Sequence, residues 1–316
     1  MIAAIVIPSV LAFLIIVFFV ATFIPYRIGF YADQRKKDVL HERIPGEQYE
    51  PFNDPLLAAV AWAEKEPYTL HEITSKDGLK LRAKFYEYSE DGPILLEFHG
   101  YKGVGIRDMA GGLPYDKEVG VNVFIVDQRA SGMSEGRSVT FGIKESDDVV
   151  AWANYLAKVR PGRPIILYGI SMGAATILMA SALELPPEVK GIIADCPFDA
   201  PENIIMEVGR SIHLPMKLLN PFLRMGARIY AHVKLRSRTA VGEVAKSKLP
   251  IMLIHGTDDR FVPFFMSEHI QAARADIRLE PFEGAPHAFC FFVDTPRYVD
   301  LVRSFIAEHT NWENPR

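Results

Sequence analysis

The chain has 316 residues, of which 49% are hydrophobic and 23% charged, and this suits one large α/β domain or two small ones. The formal net charge of −4 argues against the basic surface typical of nucleic-acid-binding proteins. The two cysteines, Cys196 and Cys290, form no Cys-x-x-Cys pair. We therefore expect buried free thiols rather than a disulfide scaffold or a zinc ribbon.

The N-terminal stretch, residues 2–24, carries no charge and is almost wholly apolar. As a helix it would span about 34 Å, enough for a bilayer core of about 30 Å. The alternative is a cleaved signal peptide, which has a basic start, a shorter apolar run and a small-x-small cleavage site. No Lys or Arg precedes this run, and Ala21-Thr22-Phe23 is a poor cleavage site. The pattern favours an uncleaved transmembrane anchor over residues 1–25.

Basic residues follow the anchor, whereas none precedes it. They are Arg27, Arg35, Lys36 and Lys37. By the positive-inside rule, this asymmetry places the C-terminal bulk of the chain in the cytoplasm.

The next segment, residues 26–66, is punctuated by prolines and is interpreted as a linker with a short helix over residues 56–65. Two antiparallel strands are predicted after it, at residues 68–74 and 80–88, because a hairpin turn signal lies at residues 77–78. These strands are expected at one edge of a sheet.

From residue 94 onward, apolar strand patterns alternate with helical patterns. Strands are predicted at residues 94–98, 121–126, 165–168, 189–194, 250–255 and 277–281, and helices at residues 144–157, 172–183, 265–274 and 296–309. This alternation is typical of an α/β fold with a mostly parallel central sheet flanked by helices. We assign residues 67–196 and 250–316 to that core.

The gap between two late strands, residues 197–249, contains no convincing strand, and its apolar residues have helical spacing. We interpret it as a helical cap over the carboxyl edge of the sheet, where ligands bind in open α/β sheets. Most of its apolar residues should form the core of the cap, and a minority should line an apolar substrate pocket. Its basic residues are expected mainly on a solvated face.

The sequence Gly169-Ile170-Ser171-Met172-Gly173 lies between a buried strand and a helix rich in small residues. A serine on such a strand–turn–helix is typical of a nucleophile elbow. The tight turn needs small flanking residues so that the strand and helix can approach closely. Amide groups at the helix N-terminus then point toward the serine hydroxyl. Ser171 is therefore the candidate nucleophile.

A serine nucleophile needs a base, and the base needs an acid that orients it. In this kind of fold the order along the chain is serine, acid, histidine. The candidate acids after predicted strands are Asp259, Asp258 and Asp195, and the candidate bases are His287, His99, His255, His269 and His309. His99 and His255 precede glycines and are expected to make local hydrogen bonds, whereas His269 and His309 fall on helices and are expected at the surface.

The sequence contains neither His-Glu-x-x-His nor Gly-x-x-x-x-Gly-Lys-Ser/Thr. These motifs would indicate a zinc site and a phosphate-binding loop, respectively. We therefore expect no metal and no cofactor.

Four motifs occur together and in order. They are Phe98-His99-Gly100-Tyr101, the segment 127–134, the glycine–serine motif around Ser171, and the segment 255–263. On these motifs the chain resembles serine hydrolases of the α/β-hydrolase superfamily. It is most similar to small bacterial membrane-anchored hydrolases related to monoacylglycerol lipases and serine aminopeptidases. The resemblance covers roughly residues 68–309.

The resemblance implies Ser171 as nucleophile, His287 as base and Asp259 as acid, the last from the Asp-x-x-Val-Pro spacing. It also implies that the backbone N–H groups of Tyr101 and Met172 form an oxyanion hole. Ser131 stands where the family commonly has histidine, in a segment that we expect to be structural.

The expected activity is hydrolysis of small-molecule carboxylic esters with lipophilic or medium acyl chains, through a Ser-His-Asp triad and an acyl-enzyme. Amidase, peptidase or thioesterase action uses the same machinery and stays open. A non-catalytic, membrane-tethered binding domain on a hydrolase scaffold is the alternative from another class. The expected partners are an ester or acyl substrate and the membrane, reached through the N-terminal helix, but not nucleic acid.

Overall fold

The structure, a computed structural model, describes residues 2–32 and 39–312, and for residues 2–5 the backbone alone. The strands are β1 Thr69–Thr74, β2 Lys80–Tyr86, β3 Ile94–Phe98, β4 Asn122–Asp127, β5 Ile165–Ile170, β6 Val189–Asp195, β7 Ile251–Gly256 and β8 Arg278–Phe282. The helices are α1 Ile2–Gly29, α2 Glu50–Ala63, α3 Gly105–Met109, α4 Leu113–Val119, α5 Glu145–Val159, α6 Met172–Ala180, α7 Pro201–Ser211, α8 Met216–Tyr230, α9 Ala240–Val244, α10 Phe265–Ala272, α11 Cys290–Val293 and α12 Thr295–Thr310.

Within the described residues, eight strands form one sheet in the order β1-β2-β4-β3-β5-β6-β7-β8. Strand β2 is antiparallel to both of its neighbours, and the remaining neighbours are parallel. This confirms the mostly parallel sheet with an antiparallel edge. The parallel strands β3 and β5 are buried along their whole length, as continuous apolar runs covered on both faces should be.

The two faces of the sheet are covered by different helices. Because successive side chains of a strand point to opposite faces, Leu96 packs on one face with Trp152 of α5 and Ile177 of α6. Its neighbour Leu95 packs on the other face, with Leu113 of α4 and Val302 of α12. The sheet therefore lies between two helical layers.

Strand β3 lies between β4 and β5, so the chain runs to one side of β3 and then to the other. Such a reversal opens a crevice at the carboxyl ends of the strands. The segment after β3 carries Tyr101, and Ser171 directly follows β5. The fold thus brings two of the predicted site residues to one crevice.

Helix α1 is longer than the predicted anchor and ends at Gly29. The segment Val6–Gly29 is long and apolar enough to cross a membrane, by length and composition. However, Tyr26 and Phe30 are buried against the body of the protein. The anchor–linker boundary predicted at residue 25 is therefore wrong, since the helical pattern continues through Pro25 and its last turn packs as part of the fold. Of the basic residues invoked for orientation, those at positions 35–37 lie outside the described residues.

The remaining predicted linker also contributes to the body. Helix α2 begins at Glu50, with Pro51 in its first turn, where a missing N–H costs nothing. Val60 of this helix is buried against the sheet. Asn53 accepts a hydrogen bond from the Ile44 N–H (2.7 Å) and donates one to the Ile44 carbonyl (3.1 Å). These bonds attach residues outside the helix to it.

The predicted cap segment divides into two parts. Helices α7 and α8 contribute Ile204 and Leu223 to a separate apolar cluster along one side of α6. Helix α9 instead places Ala240 and Val244 in the main core, because these apolar residues four apart share one helix face. The end of the segment therefore packs with the body rather than with the cap helices.

Candidate active site

Ser171 lies in the turn between β5 and α6 with φ 56° and ψ −115°. This left-handed conformation is uncommon outside glycine and costs about 1–3 kcal/mol. The turn is tight, because a Cβ on Gly173 would lie 1.8 Å from the Phe98 carbonyl oxygen and one on Gly169 would lie 2.6 Å from the carbonyl carbon of Gly173. Small residues at these positions allow the close approach that holds the Ser171 backbone in place.

Two side chains from later loops reach Ser171. The Nε2 atom of His287 lies 2.9 Å from Ser171 Oγ, and its Nδ1 lies 2.6 Å from Asp259 Oδ2. Asp259 follows β7 and His287 follows β8. The structure thus brings together the three residues that the sequence pattern proposed as nucleophile, base and acid.

The other candidate acids lie elsewhere. Asp258 is exposed and accepts a hydrogen bond from Arg260 (3.4 Å). Asp195 is buried and accepts one from the Tyr298 hydroxyl (2.8 Å). Of the three, Asp259 is the one whose carboxylate contacts His287.

The Asp259 carboxylate is fully buried and surrounded by donors. Its Oδ1 accepts hydrogen bonds from the backbone N–H groups of Phe261 (2.9 Å) and Val262 (2.8 Å). Burial alone would raise the pKa of Asp259, but the charges and hydrogen bonds of His287 and His255 outweigh burial and hold this pKa below its usual range. The carboxylate is therefore ionised and orients the Nδ1 side of the His287 ring.

The remaining candidate histidines occupy other roles. As predicted, His99 and His255 make local contacts: His99 Nδ1 lies 2.8 Å from the Gly100 carbonyl oxygen, and His255 Nε2 lies 2.8 Å from the Val262 carbonyl oxygen. His269 is on the surface of α10, as predicted, 3.1 Å from an Asp199 carboxylate oxygen. The same prediction is wrong for His309, whose ring is half-buried, 4.4 Å from that of Phe305.

The loop after β3 lies directly against the serine. A Cβ on Gly100 would be 3.6 Å from Ser171 Cβ, and the Gly100 N–H donates to Asp108 Oδ2 (2.8 Å). Tyr101 comes next, and Met172 is the first residue of α6. Tyr101, Ser171 and Met172 line the same cavity. The two residues predicted to supply oxyanion-hole N–H groups are thus on either side of Ser171.

The cavity at Ser171 has a volume of about 390 Å³ and is lined almost wholly by apolar residues. That volume is within the range of small-molecule sites, roughly 300–1,000 Å³. The cap supplies one wall, with residues such as Ile204, Ile212 and Leu219. Among the described residues that line it, none carries a charged side chain. The site can therefore hold an apolar group next to a hydroxyl, an imidazole and a carboxylate.

Sequence reasoning missed the contribution of α1 to this cavity. Ile24 and Ile28, four residues apart on one helix face, line it together with residues of the cap. The hydroxyl of Tyr101 donates to the Gly29 carbonyl (2.6 Å), which ties the end of α1 to the loop after β3. The aromatic residues Tyr26 and Phe30 continue the helical spacing beyond Pro25, and this was the available signal.

Within the described residues, one group of potential metal ligands surrounds the same site. Donor atoms of Cys196, Asp259 and His287 lie within 4.8 Å of one another. Burial raises the pKa of the Cys196 thiol well above its ordinary value. The Nδ1 of His287 already faces Asp259. The donor set therefore fits a hydrogen-bonded serine site better than a cation site.

The segment that contains Ser131 is held by one buried ion pair, Arg129–Asp148, and by a second, more exposed one from Arg129 to Asp77. Arg129 donates to Asp148 (2.7 Å) and to Asp77 (2.9 Å). The Gly105 N–H donates to Asp127 Oδ1 (3.1 Å). These contacts agree with the structural role expected for this segment.

Known proteins resemble the chain in sequence and in structure. Residues 117–240 match the family model described as serine aminopeptidase S33. The uncharacterized protein YqkD of Bacillus subtilis is 27% identical over 192 residues, which cover 60% of this chain and 63% of that protein, a little under two thirds of its length. The thiohydrolase aneE of Aspergillus aculeatus is 32% identical over 143 residues, 42% of this chain and 43% of that protein.

Among solved structures, the esterase Pf2001 of Pyrococcus furiosus superposes with a TM-score of 0.62 at 21% identity. The match covers 85% of this chain and 97% of the esterase. Because the identity is only 21%, this match shows a shared fold, which extends over nearly the whole of the esterase.

Proposed function

We propose that this chain, which has the α/β-hydrolase fold, is a serine hydrolase that cleaves carboxylic esters of lipophilic acyl groups. The observation that carries the proposal is the hydrogen-bonded series Asp259–His287–Ser171, with separations of 2.6 and 2.9 Å, at the wall of an apolar cavity. A hydroxyl, a base and an orienting carboxylate in this arrangement form an activated nucleophile.

The reaction proceeds in two halves. Ser171 Oγ attacks the ester carbonyl carbon while its proton passes to His287 Nε2. The tetrahedral intermediate collapses, the bond to the alcohol oxygen breaks, and His287 gives the proton to that oxygen. Water then attacks the acyl-enzyme with His287 as base, and the acid leaves as Ser171 regains its proton. Asp259 keeps the Nδ1 proton of His287 in place throughout.

Negative charge develops on the carbonyl oxygen during both attacks. The backbone N–H groups of Tyr101 and Met172 are proposed to donate to it, because they border Ser171 from the β3 loop and from the start of α6. One such donor is typically worth about 3 kcal/mol of activation free energy.

The cavity favours an acyl ester over a peptide with a free amino terminus. Aminopeptidase action would require a group that holds an ammonium ion, and an unpaired charge is costly in an apolar site. Among the described residues lining the cavity, no carboxylate is available for this. We therefore place esterase action ahead of aminopeptidase action, although the family model carries the latter name.

The proposal is tested by Ser171→Ala in the full-length protein, with p-nitrophenyl esters as substrates. We expect kcat to fall by about 10⁴-fold or more, because the nucleophile is lost. Ser211→Ala, at an exposed position of the cap helix α7, is the matched control and should retain wild-type turnover. Equal turnover by Ser171→Ala and wild type would refute the assignment.

Two further measurements separate the alternatives. Covalent labelling by a fluorophosphonate, present in wild type and absent in Ser171→Ala, distinguishes an enzyme from a non-catalytic scaffold. Comparing kcat/KM for an ester, a thioester and an anilide with the same acyl group decides which bond is preferred. If the anilide or the thioester reacts faster than the ester, the proposed esterase activity is wrong and the protein is an amidase or a thioesterase, respectively.

The same proposal places the protein in a membrane, with α1 as an uncleaved anchor and the catalytic body in the cytoplasm. Retention of α1 is supported by the burial of Thr22, since cleavage near residue 25 would remove its contact with Gly226 of α8. Arg27 and the basic residues of the following segment support the orientation. Protease treatment of right-side-out and inverted vesicles tests it. If the protease digests the body only in right-side-out vesicles, the body lies outside the cytoplasm and the proposed orientation is wrong.

A further inference from the structure

Helix α1 contributes more than attachment to the proposed site. We propose that its last two turns form one wall of the acyl-binding pocket, so that the acyl chain of a membrane-resident ester is bound between α1 and the cap helices. This inference rests on the proposed function and adds to it a substrate source and two specificity-determining residues, Ile24 and Ile28.

The first argument is the direct packing of α1 on the cap. A Cβ on Gly226 of α8 would lie 2.2 Å from the Thr22 carbonyl oxygen, so the two helices touch at their backbones. The Tyr230 hydroxyl donates to the Phe19 carbonyl (3.2 Å), and the Tyr230 ring lies 5.3 Å from that of Phe23. This wall is therefore a packed helix pair rather than a loose tether near the site.

The second argument is that the end of α1 is fixed to the catalytic body. Besides the bond from Tyr101 to Gly29, the Lys102 ammonium donates to the Ile28 carbonyl (3.0 Å). The Val139 N–H donates to the Phe30 carbonyl (2.8 Å), and the Tyr26 hydroxyl lies 2.9 Å from Ser138 Oγ. These bonds hold Ile24 and Ile28 at a set distance from Ser171.

The third argument is that several apolar residues lining the cavity are exposed, and we call these residues, Ile24, Ile28, Ile212 and Leu214, the mouth of the cavity. Ile28 is 72% exposed and Ile24 52% exposed, although both line the cavity. On the cap side Ile212 and Leu214 also line it and are exposed. Large apolar side chains on both sides of an opening are unfavourable in water, whereas a lipid environment or an acyl chain would cover them.

The fourth argument is the position of the mouth along α1. The preceding turns, from Val6 to Val20, are exposed and apolar, as expected of a helix in contact with lipid. Ile24 is one turn beyond Val20, a rise of about 6 Å. An ester in a bilayer holds its acyl chain among the lipid tails and its carbonyl near the interface. The chain can therefore follow α1 directly into the cavity, with its carbonyl directed toward Ser171.

The test uses the full-length protein in detergent micelles. The substitutions Ile24→Trp and Ile28→Trp place a larger side chain in the wall and so narrow the pocket. Ile16→Trp is the matched control, because Ile16 is an exposed isoleucine of α1 that does not line the cavity. The first readout is the ratio of kcat/KM for a twelve-carbon p-nitrophenyl ester to that for the acetate. The second is equilibrium binding of the fluorescent fatty acid cis-parinaric acid, which requires no turnover.

We expect the long-to-short ratio to fall by about tenfold or more in both pocket variants, since poor fit of even one methylene group costs at least that much. Parinaric acid binding should weaken in the same two variants, and Ile16→Trp should retain both wild-type values. A wild-type ratio and wild-type affinity in both pocket variants would overturn the inference, as would equal losses in Ile16→Trp. If wild type hydrolyses no ester, the proposed function fails, and the binding measurement alone decides whether α1 lines an acyl site.

Discussion

Asp259 lies between two imidazole rings, with Oδ2 2.6 Å from His287 Nδ1 and 3.2 Å from His255 Nε2. Its other oxygen accepts two backbone N–H groups, so the carboxylate is held in one orientation. Position and charge together fit it to stabilise a positively charged His287 during the reaction. At the scale of single residues, the proposed mechanism therefore requires this buried carboxylate as well as Ser171.

Asp259→Asn should keep the shape of the side chain at this position and remove its negative charge. An amide in this position no longer holds the proton on His287 Nδ1, so we expect kcat on p-nitrophenyl esters to fall by about 10⁴-fold. Asp258→Asn is the control, since that neighbouring carboxylate is exposed and bonded to Arg260. A comparable loss from both substitutions would show that Asp259 has no special role.

Tyr101→Phe tests whether the bond to Gly29 positions the loop after β3, which is proposed to supply one N–H group of an oxyanion hole. Removing one hydroxyl while keeping the ring should lower kcat by roughly 2- to 12-fold, the equivalent of a single net hydrogen bond, with little change in KM. Steady-state kinetics on p-nitrophenyl acetate separates the two constants, and Tyr115→Phe on the partly exposed α4 serves as control. A rise in KM with unchanged kcat would instead assign the hydroxyl to substrate binding.

At the scale of helices and strands, helices α1 and α8 pack against each other, and both contribute residues to the cavity wall. Their contact depends on a glycine, because a side chain at position 226 would meet the backbone of α1. Phe30 and Tyr26 then extend the contact into the body, where they are buried. Helices α1 and α8 are therefore one packed unit.

Gly226→Ala should separate these two helices. The added Cβ would lie 2.2 Å from the Thr22 carbonyl oxygen, so we expect a loss of about 1–3 kcal/mol in the free energy of unfolding and a lower Tm. Gly29→Ala is the matched control, because a Cβ there meets nothing within 4 Å. Thermal unfolding in detergent compares the two. Equal Tm values for Gly226→Ala and Gly29→Ala would mean that α1 and α8 can separate without loss of stability.

The sequence predicted the sheet well because its signals are local. Strand β3 and strand β5 are continuous apolar runs, and their predicted positions agree with the structure within two residues. Short helices such as α3 and α11 were missed, since four or five residues carry too little periodicity. The end of α1 was misplaced because its continuation is stabilised by contacts with distant residues.

The candidate site was predictable to a similar degree and for the same reason. Ser171 is marked by a local pattern of small residues, and Asp259 and His287 by turns that follow strands. For the wall formed by Ile24 and Ile28, the helical spacing of Tyr26 and Phe30 indicates only that α1 continues, because the wall itself exists only where α1 meets a cap helix far along the chain. Its detection required the three-dimensional packing.

At the scale of the whole molecule, buried carboxyl groups make stability depend on pH. Asp116 lies on α4, and burial raises its pKa from 3.8 to about 7, although Arg303 opposes the shift. Glu97 nearby is also buried, with its pKa raised well above the ordinary value by burial and by Asp116. The folded protein therefore holds protons here that the unfolded chain releases.

The sign of the effect follows from this difference in bound protons. Between about pH 4 and pH 7, the folded state binds more protons at Asp116 than the unfolded state, so its contribution to stability falls as pH rises. Asp116→Asn removes the contribution of Asp116 to this dependence, and it also removes the charge that helps to raise the pKa of Glu97, which acts in the same direction. Denaturant unfolding at several pH values should show the variant gaining stability relative to wild type up to about pH 7. A constant difference would contradict the raised pKa.

The direct bonds between α1 and the loop after β3 also bear on how the enzyme would meet its substrate. If α1 spans a bilayer, the opening beside Ser171 stays at a constant height over the lipid headgroups. Encounter then occurs in two dimensions. Turnover should follow the mole fraction of ester within the leaflet, and adding inert phospholipid should slow it even when the total ester in the sample is unchanged.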